Sequence, residues 1–421
     1  MRFLYILFLF ISTHCIAQGT VVFKDGTKEN REKLYKHLTT NTIAKNLAMH
    51  LSDSTEENWQ DAFYAIALLQ SQNPQIDRKI NEAVADVLNR SLYFQRSLLE
   101  ILYERYSGLY LKEVKNLMNV TSDAKLFAMC GEYVLKSMRT PAEKNQLLGI
   151  VKKKASAELS GPHLDQLQYS ITNSIKELAR PSVHTLLTKK YLKGNVLLVS
   201  LQRKNRNYPG LALVRDTSGN FMKDETGKFL AVPQLGRSIY NLPGYITNGN
   251  TPEGIFRMDG FDISRISMIG PTTNVQLTMP MEYHAHHFYR DSTLPDSIGS
   301  LQLYKKLLPS NFANYYPMHQ SFYAGKAGRT EIIAHGTTVD PAFYTGMPYY
   351  PFTPTMGCLC TTEIWSGKDG SRTKSDQQLL TDAITMAGGP YGYAIVINID
   401  DTKGPVILDD ILPYLNLAGQ K

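Results

Sequence analysis

Hydrophobic positions recur with two different periods along this chain. Between residues 28 and 190 they return at three- and four-residue intervals. Trp59, Ala62, Phe63, Ile66 and Leu69 form one such stripe, and Ile76, Ile80, Val84, Val87 and Leu88 form the next. That spacing lines one face of a helix. Ser54-Thr-Glu-Glu57 predicts a capping box before the first stripe, and Asn73-Pro74 predicts its end. Leu98–Tyr106 predicts a further helix with a C-cap at Gly108. Thr140-Pro-Ala-Glu143 joins a cap, a first-turn proline and a capping glutamate. Helices joined by short turns predict an all-α bundle or a short helical-repeat stack over 28–190.

Beyond Lys193 the runs become short, β-branched and bounded by turn residues. Strands are expected at Asn195–Leu201, Leu211–Arg215, Gly254–Met258, Val275–Thr278, Thr330–Ala334 and Tyr393–Ile399. Asp216–Gly219 and Asp224–Gly227 read as meander turns. One helix is expected at Ser375–Met386, stopped by Gly388-Gly389. The fold class is therefore multidomain α and β, with a helical half over 28–190 and a mostly-β half over 195–421.

Residues 1–17 have a different layout. Arg2 precedes the apolar run Phe3–Ile11, and Cys15 and Ala17 stand at the −3 and −1 positions of a cleavage before Gln18. This is the pattern of a secretory signal peptide, so the mature chain is expected in the periplasm or outside the cell. The bulky His14 argues against acylation of Cys15 as a lipid anchor. The run is short of the ~20 apolar residues that span a bilayer, and no other stretch reads as a stable membrane span.

Composition narrows the function classes. With 43% hydrophobic and 20% charged residues in 421, the chain is neither disordered nor fibrous. Four cysteines are too few for a disulfide scaffold. Cleavage would leave Cys130, Cys358 and Cys360, an odd number that points to a free thiol. Cys130 sits in Phe127-Ala-Met-Cys-Gly and reads as a buried small hydrophobe. The net charge of +7 gathers in the helical half, so the β half is no platform for polyanions and no nucleic-acid partner is expected. Lys152-Lys-Lys154 reads as a solvated helix face.

Candidate chemistry lies between His335 and Cys358. A strand ending in His335-Gly-Thr337 delivers an imidazole at a turn, and Thr355-Met-Gly-Cys358-Leu-Cys360 delivers a thiol after a glycine. A thiol needs a base or a positive field to become a nucleophilic thiolate at neutral pH. The pair supplies this if the two strand ends are adjacent. Backbone N–H groups around Gly336 and Gly357 are candidates to orient the base and hold an oxyanion. The other reading of Cys358 is a structural thiol, and that of His335 a core histidine. Cys360 reads as packing or as a redox partner. The segment Pro341–Pro354 carries Phe343, Tyr344, Tyr349, Tyr350 and Phe352 among four prolines. It reads equally as a cleft wall or as a loop packed on the barrel.

This ordered set resembles the L,D-transpeptidase catalytic domain, the YkuD-like family of bacterial cell-wall enzymes. That family carries His-Gly-Thr, then a gap, then Ser/Thr-His-Gly-Cys-apolar-Arg/Asn. Thr251-Pro-Glu-Gly254-Ile-Phe256 and Met279-Pro280 are similar to two further landmarks upstream. The resemblance covers residues 195–400. Three departures stand out: Met356 replaces a histidine, Cys360 replaces Arg or Asn, and 22 residues separate His335 from Cys358. The resemblance implies an acyl-thioester on Cys358 formed from peptidoglycan stem peptides, with His335 as base and no cofactor. Thr337 and Thr355, within the motifs, and Tyr349 and Tyr350, in the aromatic segment, are the substrate-binding candidates. The helical half is a candidate site for a protein partner.

Glu282-Tyr-His284-Ala-His286-His287 offers two imidazoles on one face if extended, but no evident third ligand, so no metal is expected. Asp259, Asp262 and Asp291 read as turn residues. The competing function class is a non-catalytic wall-binding module.

Overall fold

The computed structural model describes residues 21–350, 352 and 355–419. The expected signal peptide at 1–17 lies outside the described residues. No described helix is long and apolar enough to cross a membrane.

The helical half forms from locally capped amphipathic segments. Helix Glu56–Leu69 ends on left-handed Gln70, three residues before the expected Asn73, and Asn73 instead caps the start of the next helix, Pro74–Ala85. Its side chain accepts from the Gln75 and Ile76 N–H groups, both at 2.9 Å. The predicted capping box at Thr140 is present at the start of helix Pro141–Ala157. The one predicted at Ser54–Glu57 is not. Thr55 turns its hydroxyl back to the His50 carbonyl at 2.7 Å. Glu56 reaches across to Ser91, accepting its N–H at 3.0 Å and its hydroxyl. The helix starts one residue later than the box requires, with Thr55 at the N-cap and Glu57 at its second position. Cys130 is buried in this core, as expected.

The β half is a closed barrel. Its strands are β1 (Leu197–Arg203), β2 (Gly210–Arg215), β3 (Ala231–Leu235), β4 (Gly254–Asp262), β5 (Asn274–Thr278), β6 (Ile332–His335) and β7 (Leu359–Thr361). The hairpin β8 (Glu363–Trp365) and β9 (Arg372–Ser375) stands apart, and β10 (Tyr393–Asp400) returns to the barrel. The barrel order is β1-β10-β4-β5-β6-β7-β3-β2, parallel at β1–β10 and β6–β7. Asp259 and Asp262 belong to β4 and not to turns. Both wall faces are apolar. Leu198, Val214, Ala394 and Val396 face one core, while Leu197, Leu213, Ile395 and Ile397 face another. Period-two alternation with two buried faces explains the continuous apolar runs. Helix Asp376–Ala387 packs on the first face and touches β2, β3 and β5, which lie on different walls. It therefore plugs the barrel. The Ser375 hydroxyl caps it, accepting from Gln378 N–H at 2.9 Å.

The division near residue 190 separates secondary structure but not cores. Ile239, Tyr240, Leu242, Tyr245 and Ile246, from the β3–β4 connection, are buried in the same core as Trp59, Phe63, Phe94 and Leu98. Polar contacts fix the insertion. Tyr245 donates to Glu132 at 2.8 Å, Asn248 donates to Glu100 at 3.0 Å, and Arg237 pairs with Glu104. Aromatic stacking of Tyr169 on Tyr316, centroids 3.9 Å apart, adds a second contact between the halves.

Burial raises the Glu132 carboxyl to about 7. The folded state thus holds a proton that the unfolded chain releases near 4.5, so this group's contribution to stability falls as pH rises from 4.5 through 7. Glu132→Gln keeps an acceptor for Tyr245 without a charge. The variant is expected to be more stable than wild type at pH 8 by about 1–3 kcal/mol, and equal to it near pH 4. Urea unfolding at the two pH values measures this.

Candidate functional site

β6 and β7 run parallel, with Ala334 opposite Leu359 and His335 opposite Cys360. Ala334 and Leu359 turn into the barrel core. His335 ends β6 and is 1% exposed. Its Nδ1 lies 2.5 Å from the Gly336 carbonyl, which can only accept, so Nδ1 carries the proton. Nε2 is then the lone-pair nitrogen, and it is buried without a hydrogen-bond partner. Burial lowers this histidine to about 4, so the ring is neutral at neutral pH.

Cys358 lies immediately before β7, half-buried, with a free thiol. Its sulfur faces the Glu331 carbonyl at 3.7 Å. Burial pushes the thiol up, opposed by the Ile333 N–H and the Arg329 charge. Glu331 adopts φ 63°, a left-handed conformation uncommon for a side-chain-bearing residue. His335 thus ends β6 while Cys358 precedes β7, so the thiol stands two residues back along the parallel pair from Cys360, the partner of His335, and the two side chains are not hydrogen-bonded to each other. The resting pair is a neutral thiol and a neutral imidazole.

The cysteine turn is held from three sides. Thr355 Oγ1 accepts the Cys358 N–H at 2.9 Å and the Gly357 N–H at 3.3 Å. The expected oxyanion donors are therefore engaged by a side chain in this state. Thr251, from the Thr-Pro-x-Gly-x-Phe landmark, donates to the Gly357 carbonyl at 2.8 Å. Gly357 has φ 112°, and a Cβ there would collide with the Arg329 guanidinium and the Gly249 carbonyl. Only glycine meets both demands. Gly336 is required for space alone, because a Cβ would strike the Glu363 carboxylate. Glu363 accepts from Thr272 at 2.6 Å and from Ser375 at 2.5 Å, and burial raises it to about 7.

The remaining candidates separate into packed and exposed residues. Thr337 is 1% exposed, and its carbonyl accepts from the Trp365 indole at 2.8 Å, so it is a framework residue of the β6 turn and is not open to substrate. Tyr349 is likewise no cleft wall. It is buried with Leu235, Val339, Tyr344, Phe352 and Cys360, under the Arg237 guanidinium at 4.5 Å. Tyr344 donates to the Leu68 carbonyl at 2.5 Å, tying the same segment to the helical half. Of the two candidate tyrosines only Tyr350 is exposed, at 46%.

No family model, curated protein or solved structure matches this chain.

His284 and His286 do not share a strand face. Helix Ala285–Tyr289 replaces the expected extended segment. Their rings stack at 6.0 Å beside Asp296, while His287 turns to Asp259 at 3.2 Å. Among the described residues no three ligating side chains gather.

Two residues that sequence reasoning missed stand at the site. Arg329 and Glu363 are both buried against its glycines, Gly357 and Gly336. Neither belongs to a periodic or spaced pattern. The one available signal was the pair of glycines, each of which implies a close neighbour.

Proposed function

We propose that this protein is an exported cysteine acyltransferase of the L,D-transpeptidase type acting on peptidoglycan stem peptides. The observation that carries the reading is a half-buried free thiol, Cys358, on the strand beside a neutral imidazole whose Nδ1 is fixed and whose Nε2 has no hydrogen-bond partner. The ordered landmarks Thr251, Met279-Pro280 and His335-Gly-Thr337 support it, and Thr251 touches the cysteine turn directly.

In this reading Cys358 leaves the Glu331 carbonyl and gives its proton to His335 Nε2. The thiolate adds to the carbonyl between the third stem residue and D-alanine. Breakdown of the adduct expels D-alanine, which takes the proton from the imidazolium, and leaves an acyl-thioester. An amine of a second stem peptide then displaces the thiol and gives a 3–3 cross-link, while water in its place gives hydrolysis. Stabilising the oxyanion with the Gly357 and Cys358 N–H groups requires Thr355 to release them.

That engagement by Thr355, together with the absence of a hydrogen bond between Sγ and Nε2, favours a second reading, a non-catalytic wall-binding protein. Intact-mass measurement with a carbapenem separates the two. The transferase gains one covalent adduct, lost in Cys358→Ala. The binding protein gains none and pulls down cell wall equally well with and without Cys358.

A further inference from the structure

Arg329 is 2% exposed, yet it makes no ion pair among the described residues. Its Nη1 donates to the Gly244 carbonyl and to the Asn250 carbonyl at 2.8 Å. Its Nη2 donates to Gly249 at 2.6 Å and lies 3.4 Å from the Met356 carbonyl. Four backbone dipoles thus solvate a cation that has no carboxylate. A buried charge without a counter-ion is costly, so such a site favours an anion nearby. The acidic group beside it is the Cys358 thiol, which follows the Met356–Gly357 backbone that the guanidinium packs against.

We propose that Arg329 is the positioning residue of Cys358, clamping the cysteine turn to the β3–β4 connection and acting as counter-ion to the thiolate. The proposal rests on the transferase reading for its purpose. The position two residues after the cysteine, where the resembled family carries Arg or Asn, holds the packed Cys360 here. The positive charge comes instead from the residue that leads into β6. When the thiol proton moves to His335 Nε2, the thiolate is left facing Arg329, and the charge pair is complete. The other charged or titratable groups around the thiol are Glu331, which opposes thiolate formation, Glu282, which accepts the Glu331 N–H, and His335. Arg206 is a second buried cation that acts on Arg329, and it has Glu253 as its own anion.

The test is the pH dependence of Cys358 alkylation by iodoacetamide in the full chain, read by peptide mass. In Arg329→Met the thiol is expected to titrate at least one unit higher, so alkylation at pH 7 slows by about tenfold or more. Arg329→Lys keeps a charge but not the fork, and is expected to fall between, at least about threefold slower than wild type. A folded Arg329→Met variant with an unshifted titration overturns the proposal. If that variant does not fold, an unchanged rate in Arg329→Lys overturns it. Carbapenem adduct formation by the wild type is read in parallel. An adduct without a shift in the variants removes only the role of Arg329. A shift without an adduct leaves a thiolate counter-ion and removes the transferase.

Discussion

Replacing His335 by asparagine is expected to slow acylation of Cys358 by about 10²- to 10⁴-fold, the usual contribution of a positioned general base. Asparagine can keep the contact to the Gly336 carbonyl but offers no lone-pair nitrogen in place of Nε2. The measurement is the time course of the carbapenem adduct under single-turnover conditions. The pH profile adds a sharper check. Burial holds His335 at about 4, so the base is competent from about pH 5 upward, and no acid limb is expected near 6.5. The thiol is pushed up by burial, so the wild-type rate should rise across the neutral range. A limb near 6.5, or an unchanged rate in His335→Asn, would show that another group takes the proton.

The second large effect concerns the joint between the halves. Glu104→Ala is expected to destabilise the protein by about 3–5 kcal/mol, because it leaves the Arg237 guanidinium buried without its anion. Arg237 is 2% exposed and donates to Asn207 at 2.7 Å and to Ser238 at 2.8 Å, so it cannot swing into water without breaking the β3–β4 connection. That connection supplies three of the carbonyls that hold Arg329, so the loss should also loosen the cysteine turn. Urea unfolding gives the stability change, and alkylation of Cys358 below the transition reports the turn. A variant as stable as wild type would mean that the halves are held by their apolar contacts alone.

The parts of this fold that follow local rules were legible in the sequence. Six strands and the plug helix stood out because each run is apolar, short and closed by turn residues such as Asp216, Gly219 and Gly388. β3, β7, β8 and β9 did not, since Ala231–Leu235 contains Pro233 and the other three are only three or four residues long. The Ser54–Glu57 box does not form because Thr55 takes the cap position and turns its hydroxyl back to the His50 and Ser52 carbonyls, contacts that the local pattern does not encode. The same limit applies at the site. His335 and Cys358 were visible through the glycines beside them. Tyr349 was read as a substrate contact because composition cannot distinguish an aromatic loop that lines a cleft from one that fills a gap. Arg329 was invisible, because its role depends on carbonyls at Gly244, Gly249, Asn250 and Met356 that only the folded chain brings together.

The parallel pairing of β1 with β10 sets an order of events during synthesis. Leu197 meets Tyr393 and Leu201 meets Ile397, partners nearly two hundred residues apart. The helical half is complete long before these strands can meet, and it must wait with an open slot for Ile239–Ile246. The barrel cannot close until Tyr393–Asp400 has emerged, and such distant pairing is slow. A chain truncated before Tyr393 would carry both His335 and Cys358 yet lack β10, the stave that closes the barrel between β1 and β4. Reactivity of the thiol is therefore a late property of the molecule, acquired only once β10 has joined β1 and β4.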